Sequence, residues 1–421
     1  MKASLILSCA IGAIGVSAVP QLKGTGKQGG KQSAGLLGGV VQGLVNAGYG
    51  KVADVPGAAP RRVTVAPHTN VTGVQSVKIR HGPYKVPSMN KKNMMGSSGT
   101  LYNYPDVQVE RPCEGKCVLL GMSAGLEYPN GSPASVDNGM WLHHMVALNA
   151  GPGRMDPTCM GKMSLPHMVV GSNPATSERM YSSGNEGNFA MFNPPFAGAE
   201  KLGYFMEDTD KLSFIVDLMN QTPEDKTVYM TMTYDYLPAT AGGGRPDGFG
   251  NIKAVWLDVN QCGTSEMAPP ATDKYSLKAD WTANFEGEIL GLGGHLHDGG
   301  TNMIISVDGM TVCDSVATYS PVSGGGEAGA EGGGMASMGG MGGMVRRSIY
   351  DNFNAKVARD PPAPGAVEHI SAMSGCAGPQ QPVKTLKMGQ KWTIQGNYDY
   401  TKHPGMKHTD GKEEAVMAIS M

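Results

Sequence analysis

Between residues 227 and 237 the chain gives its clearest alternation. Val228, Met230, Met232, Tyr234 and Tyr236 fall on one side of an extended backbone, and Thr227, Thr231, Thr233 and Asp235 fall mostly on the other. Side chains of a strand point alternately to its two faces, so this stretch reads as a half-buried antiparallel strand. Shorter β-rich runs recur at 63–66, 74–81, 117–128, 141–149, 252–259, 275–293, 303–313, 391–400 and 414–421, separated by Gly, Pro, Asn and Ser. The 61 glycines and 28 prolines supply many turns and argue against a helical bundle. At 421 residues there is room for two cores. The expectation is an all-β chain of two tandem antiparallel β-sandwich lobes of jelly-roll type. The stretch 237–250, with glycines at 242, 243 and 244, is the best boundary, dividing lobes at 63–240 and 241–421.

Net charge is −2 with no basic block, so nothing points to nucleic acid. Lys2 precedes an apolar run from Leu5 to Val16, and Val16-Ser17-Ala18 fits signal-peptide cleavage after Ala18. A secreted protein is expected, and no later stretch is apolar enough to span a bilayer. Removal of Cys9 with the signal leaves Cys113, Cys117, Cys159, Cys262, Cys313 and Cys376, enough for three disulfides whose pairing spacing cannot choose. Three glycosylation sequons, at Asn70, Asn130 and Asn220, suit that route and are expected in surface turns.

Residues 19–62 lack firm periodicity and read as a flexible leader. The leader ends in the dibasic pair Arg61-Arg62, so it is either a propeptide or an uncut arm. A Gly/Met-rich stretch at 324–344 cannot build a core and reads as a loop, with Met335, Met338, Met341 and Met344 at every third position. Thioethers are soft ligands for Cu(I), so this repeat either handles copper or is low-complexity drift.

Two histidine groups carry the chemistry. Residues 293–300 read Gly-Gly-His-Leu-His-Asp-Gly-Gly between apolar runs, the pattern of strand, turn and strand. Residues two apart on a strand share a face, so His295 and His297 can present two imidazoles to one point, with Asp298 available to orient a ring. The second group is the adjacent pair His143 and His144, which needs an edge or distorted backbone, or different ring nitrogens, to share one metal. A third cluster, His403, Met406 and His408 among lysines, reads as a surface loop or cleft lining. His68, His81 and His369 have no partner pattern.

An adjacent pair in the first half, an HxH in the second and Met417 in the terminal run together resemble the copper type II, ascorbate-dependent monooxygenases, the family of peptidylglycine α-hydroxylating monooxygenase and dopamine β-monooxygenase. The resemblance covers roughly residues 63–421 and is specific only in these short motifs. It implies two β-lobes facing across a solvent-filled cleft, with an electron-transfer copper in one and an oxygen-site copper in the other. Carried over, His295, His297 and Met417 are the ligands and catalytic centre of the oxygen site. His143 and His144 belong to the electron-transfer site, whose third histidine has no counterpart in the run Phe214-Ile215-Val216-Asp217-Leu218-Met219-Asn220. Asp217 or His167 is the candidate substitute. Gly293 stands where the amidating enzymes carry a carboxylate-binding arginine, which argues against peptide amidation.

The leading expectation is therefore a secreted monooxygenase using one or two copper ions. It would hydroxylate a C–H bond of a small molecule or peptide with O2 and ascorbate or another small reductant. A non-catalytic copper storage or delivery protein on the same scaffold is the alternative, and a glycan-binding sandwich with incidental histidines is a weaker third.

Overall fold

The alternating and β-branched runs form strands wherever turn residues bound them. The computed structural model describes residues 43–184, 189–193, 201–321, 368–377, 382–407, 411 and 413–421. The expected signal peptide and the Gly/Met-rich stretch at 324–344 lie outside the described residues.

In chain order the first half supplies β1 (Gly50–Lys51), β2 (Arg62–Thr64), β3 (Gln75–Val86), β4 (Thr100–Asp106), β5 (Cys117–Glu127) and β6 (Met140–Ala150). It continues with β7 (Ser177–Ser183), β8 (Ala190–Met191), β9 (Leu202–Met206), β10 (Lys211–Asn220), β11 (Lys226–Pro238) and β12 (Gly250–Asn251). The second half supplies β13 (Leu257–Asp258), β14 (Glu266–Met267), β15 (Lys274–Thr282), β16 (Gly287–Glu288), β17 (Gly291–Leu296) and β18 (Gly300–Val307). Then come β19 (Met310–Pro321), β20 (Glu368–Met373), β21 (Gly375–Ala377), β22 (Thr385–Leu386), β23 (Lys391–Asp399) and β24 (Val416–Ser420).

The all-β expectation holds. In the first half an eight-stranded sheet, ordered β1-β3-β11-β5-β9-β12 with β2 on β3 and β8 on β5, accompanies a four-stranded sheet ordered β4-β10-β6-β7. Inward residues of both, such as Ile79, Leu119, Met230 and Tyr234 from one and Leu142, Met145, Phe214 and Val216 from the other, make one core. In the second half the sheets run β13-β24-β17-β21, with β14 on β24, and β15-β23-β18-β19-β20. Leu296, Ala418, Ile305 and Ile394 lie in their shared core. Burial of such side chains is the main force holding each half together.

The structure revises four details. The run 227–237 is not half-buried: β11 lies between β3 and β5, and Thr233 and Asp235 on its polar face are buried too. Asp235 is covered because it accepts hydrogen bonds from the backbone N–H of His68 and Thr69, both at 2.7 Å. The described part of the expected leader, from residue 43, is folded onto the sandwich, with β1 and β2 both paired to β3. The chain leaves the first half after β12, which still pairs with β9, rather than at the glycines 242–244. Finally, Asn220 is buried and donates from Nδ2 to the carbonyls of Pro87 and Glu224 at 3.0 and 2.7 Å, so the acceptor side chain of its sequon points inward although Gln221 beside it is exposed. Asn70 and Asn130 are exposed as expected.

The six cysteines pair as Cys113–Cys117, Cys159–Cys262 and Cys313–Cys376. The second of these joins the halves across 103 residues of sequence. Beside it the buried Arg179 guanidinium bonds Asp156 at 2.6 Å and reaches across to Asp258 at 3.2 Å, over the ring of Trp256. Trp256, Met417 and Ile419 then pack with Val146 of the first half. Covalent, ionic and apolar contacts thus close one seam, and the histidines lie on it.

Candidate metal centre

Register irregularities aim the adjacent histidines. β6 pairs with β10 as Asp217 opposite His144, but the next pair is Leu218 opposite Leu142, which leaves His143 as the extra residue of a β-bulge. A regular strand would send the two side chains to opposite faces; here the rings lie with centroids 4.7 Å apart. The other neighbour of β10 is irregular at the same level. Tyr104 pairs with Val216 and Leu101 with Leu218, so Tyr102 and Asn103 together face Asp217. Asn103 takes a left-handed backbone, φ 43°, a region in which Asn is among the tolerated residues.

Asp217, fully buried between the two bulges, has its Oδ1 3.1 Å from His143 Nδ1, and its Oδ2 accepts from the Asn103 N–H at 3.0 Å. His144 Nε2 lies 3.3 Å from Asn103 Oδ1 and 3.9 Å from Asp217 Oδ2. Of the two proposed third partners, Asp217 therefore meets the pair and His167 does not. His167 is buried elsewhere, between Asp156 at 3.2 Å and Ser172 at 3.0 Å.

The second half brings its histidines by ordinary strand geometry. β17 pairs with β24 as His295 opposite Ile419 and Leu296 opposite Ala418. Leu296 and Ala418 enter the core, so His295 and His297, with Met417 and Ile419, share the opposite face. His297 donates from Nδ1 to the Ala415 carbonyl at 2.8 Å. On the far side of β24, Glu266 pairs with Met417, and its carboxylate lies 3.9 Å from His144 Nε2 and accepts from Tyr102 Oη at 2.8 Å.

The two groups meet. The His143 and His297 rings are 5.1 Å apart and those of His295 and His297 5.7 Å, so the groups do not stand on opposite walls of a wide cleft as the family resemblance implies. His143, His144 and His297 can each offer a ring nitrogen with all three nitrogens within 4.8 Å of one another; an overlapping group is His143, His144, Asp217 and Glu266.

Electrostatics separates the roles. Burial disfavours a charged His143, but Asp217, Glu266 and Glu414 outweigh it and push the imidazole up to about 9. Burial, together with the neighbouring imidazoles of His143 and His295, holds His297 well below its usual range, so it is neutral and ligand-ready. Burial and the Asp217 charge push Glu266 up to about 7. Asp217 stays low despite burial because His144, His143 and the Asn103 N–H favour its anion.

The donor set fits a copper ion. His143 and His297 each engage Nδ1, with Asp217 and a carbonyl respectively, while each buried Nε2 lacks a hydrogen-bond partner among the described residues. That is the arrangement by which a ligating imidazole is oriented through its other nitrogen. Imidazole donors suit copper, and Met417 shares a strand face with His295 and His297.

Asp298 has a different role from the one its position suggested. Asp298 orients neither HxH ring; its carboxylate instead takes His369 Nδ1 and the Ile370 N–H. His369 in turn sets its ring against Trp141, two residues before His143, with centroids 4.8 Å apart. No local signal marks His369, because its partners are distant in the sequence. His403 of the lysine-flanked group stacks on Tyr319 at 3.6 Å, and the Tyr319 hydroxyl binds Gly299 N–H and Gly300 C=O, fixing the turn after the HxH.

No protein-family model matches the chain. It is 26% identical over 352 residues to a protein of Phoma sp. named as a probable copper-dependent oxygenase, covering 82% of this chain and 71% of that one. A second relative, from Cochliobolus lunatus and also named as a probable copper-dependent oxygenase, is 27% identical over 308 residues, 71% of this chain and 77% of the relative.

Proposed function

We propose that this chain is a secreted copper-dependent monooxygenase. It converts R–H, O2, two electrons and two protons to R–OH and water, with the electrons drawn from ascorbate or another small reductant. The convergence of His143, His144 and His297 from both halves, with two oriented and otherwise unpartnered Nε2 atoms, carries this reading. The names of the two relatives support its chemistry.

In this reading His143, His144 and His297 would hold one copper ion, with Asp217 behind the adjacent pair, and any second ion would fall to His295 and Met417, which share the strand face of His297. Copper in such a site supplies the one-electron steps that let O2 react with a closed-shell substrate. The protein's part is preorganisation. The Ala415 carbonyl fixes the tautomer of His297, Asp217 fixes that of His143, and Asp217 and Glu266 offset added positive charge. Trp256 and Ile419, packed on Met417, keep its surroundings apolar.

The test is oxygen uptake by the purified protein with copper and ascorbate. Uptake that needs both, and that falls at least a hundredfold in His297→Ala and His295→Ala, is expected. A copper-loaded protein with no reductant-dependent uptake on any C–H substrate would favour the storage or delivery reading, which the burial of the donors at a closed seam also suits.

A further inference from the structure

The segment 43–51, read from sequence as part of a leader that is either a propeptide or an uncut arm, touches β4 at three points. Asn46, buried to 1% exposure, accepts from the Tyr102 N–H at 2.7 Å and donates to the Tyr102 carbonyl at 3.0 Å. Gly50 lies so close to the Tyr104 ring that a Cβ there would sit 2.2 Å from it. Lys51 binds the Asp106 carboxylate at 2.9 Å. These contacts fall on alternate residues of an edge strand, while β1 pairs through its backbone with β3 of the other sheet. The segment thus straps one open edge of the first sandwich.

The Asn46 contact lies where β4 departs from its register with β10. Tyr102 and Asn103 together face the single residue Asp217, so the ladder is interrupted there, and the Asn46 amide, a chemical copy of a peptide group, bonds both Tyr102 backbone groups. From that bulge the Asn103 N–H binds Asp217, Asn103 Oδ1 faces His144, and Tyr102 Oη binds Glu266. One side chain outside the sheet therefore supports three contacts to the candidate ligand set. The dibasic pair is also engaged: Arg61 binds Asp54 and the carbonyls of Arg80 and Gly82, and Arg62 belongs to β2.

We infer that Asn46 is a positioning residue for the metal centre and that the strap is retained in the mature protein, uncut at Arg61-Arg62. This rests on the copper reading above. Asn46→Ala is expected to weaken Cu(II) binding, measured by chelator competition, by about tenfold and to change the electron paramagnetic resonance hyperfine coupling of bound Cu(II). Lys51→Met, which loosens the same strap away from the bulge, should lower the melting temperature and leave the resonance spectrum as in the wild type. Tyr102→Phe, which keeps the backbone clamp and removes the Glu266 contact, should shift the spectrum and serves if Asn46→Ala fails to fold. A wild-type spectrum in both Asn46→Ala and Tyr102→Phe overturns the inference while the copper reading stands; a wild-type protein that takes up no copper overturns both. The intact mass of the chain from a secreting host gives an independent check. A mature N-terminus before Asn46 is expected, and one at Val63 overturns the proposal.

Discussion

His81 sits inside the first core on β3, edge-on to Phe214 at 5.0 Å, and burial pushes its imidazole down to about 4. The unfolded chain takes up this proton near pH 6.5 and the folded one only near 4. The folded state therefore binds fewer protons in that window, and stability falls as pH drops from about 6.5 to about 4, then levels off. Comparing urea midpoints of the wild type and His81→Gln across that range should show the variant losing about 3 kcal/mol less on acidification. Asp217 is the other residue with a sharp expectation: Asp217→Asn should keep the fold but weaken copper binding by about ten to a hundredfold, as chelator competition would measure. At this scale the histidines that converge, His143, His144 and His297, were already marked in the sequence, as was Asp217. The sequence did not show Glu266, Tyr102 or Asn103, because their relation to His144 arises from pairing between remote strands.

Elements explain why the two motifs differed in legibility. The HxH needed only strand periodicity, so His295 and His297 on one face followed from spacing alone. The HH pair needed a bulge, which depends on how β10 pairs with β6 and β4 and leaves no trace in the seven residues around it. The same pairing buried both faces of β11, where alternation alone suggested one solvated face. At the seam, Arg179 is the element-scale test. Arg179→Met would leave Asp156 and Asp258 buried without their shared cation and should cost about 3–5 kcal/mol of stability, read as a large fall in melting temperature. Replacing Cys159 and Cys262 by serine should cost about 4–5 kcal/mol, since the closed loop spans 103 residues, and should raise the rate at which copper is lost to a chelator.

For the whole molecule, an all-β chain of sandwich type was readable from strand spacing and turn residues; the seam that joins its halves was not. Because the halves bring the His143 and His297 rings to 5.1 Å, copper should behave as a crosslink between them. Limited proteolysis in the 252–256 connection between β12 and β13 should therefore leave the copper-loaded halves together and release them more readily after the metal is stripped and the disulfide reduced. The buried Asn220 side chain has a separate consequence for how the molecule is made. Oligosaccharide is attached to nascent chains, and a sugar on that amide would occupy the place of the Pro87 and Glu224 carbonyls. Molecules tagged there during synthesis could not close this turn, so the fraction escaping the tag would set the yield from a glycosylating expression host.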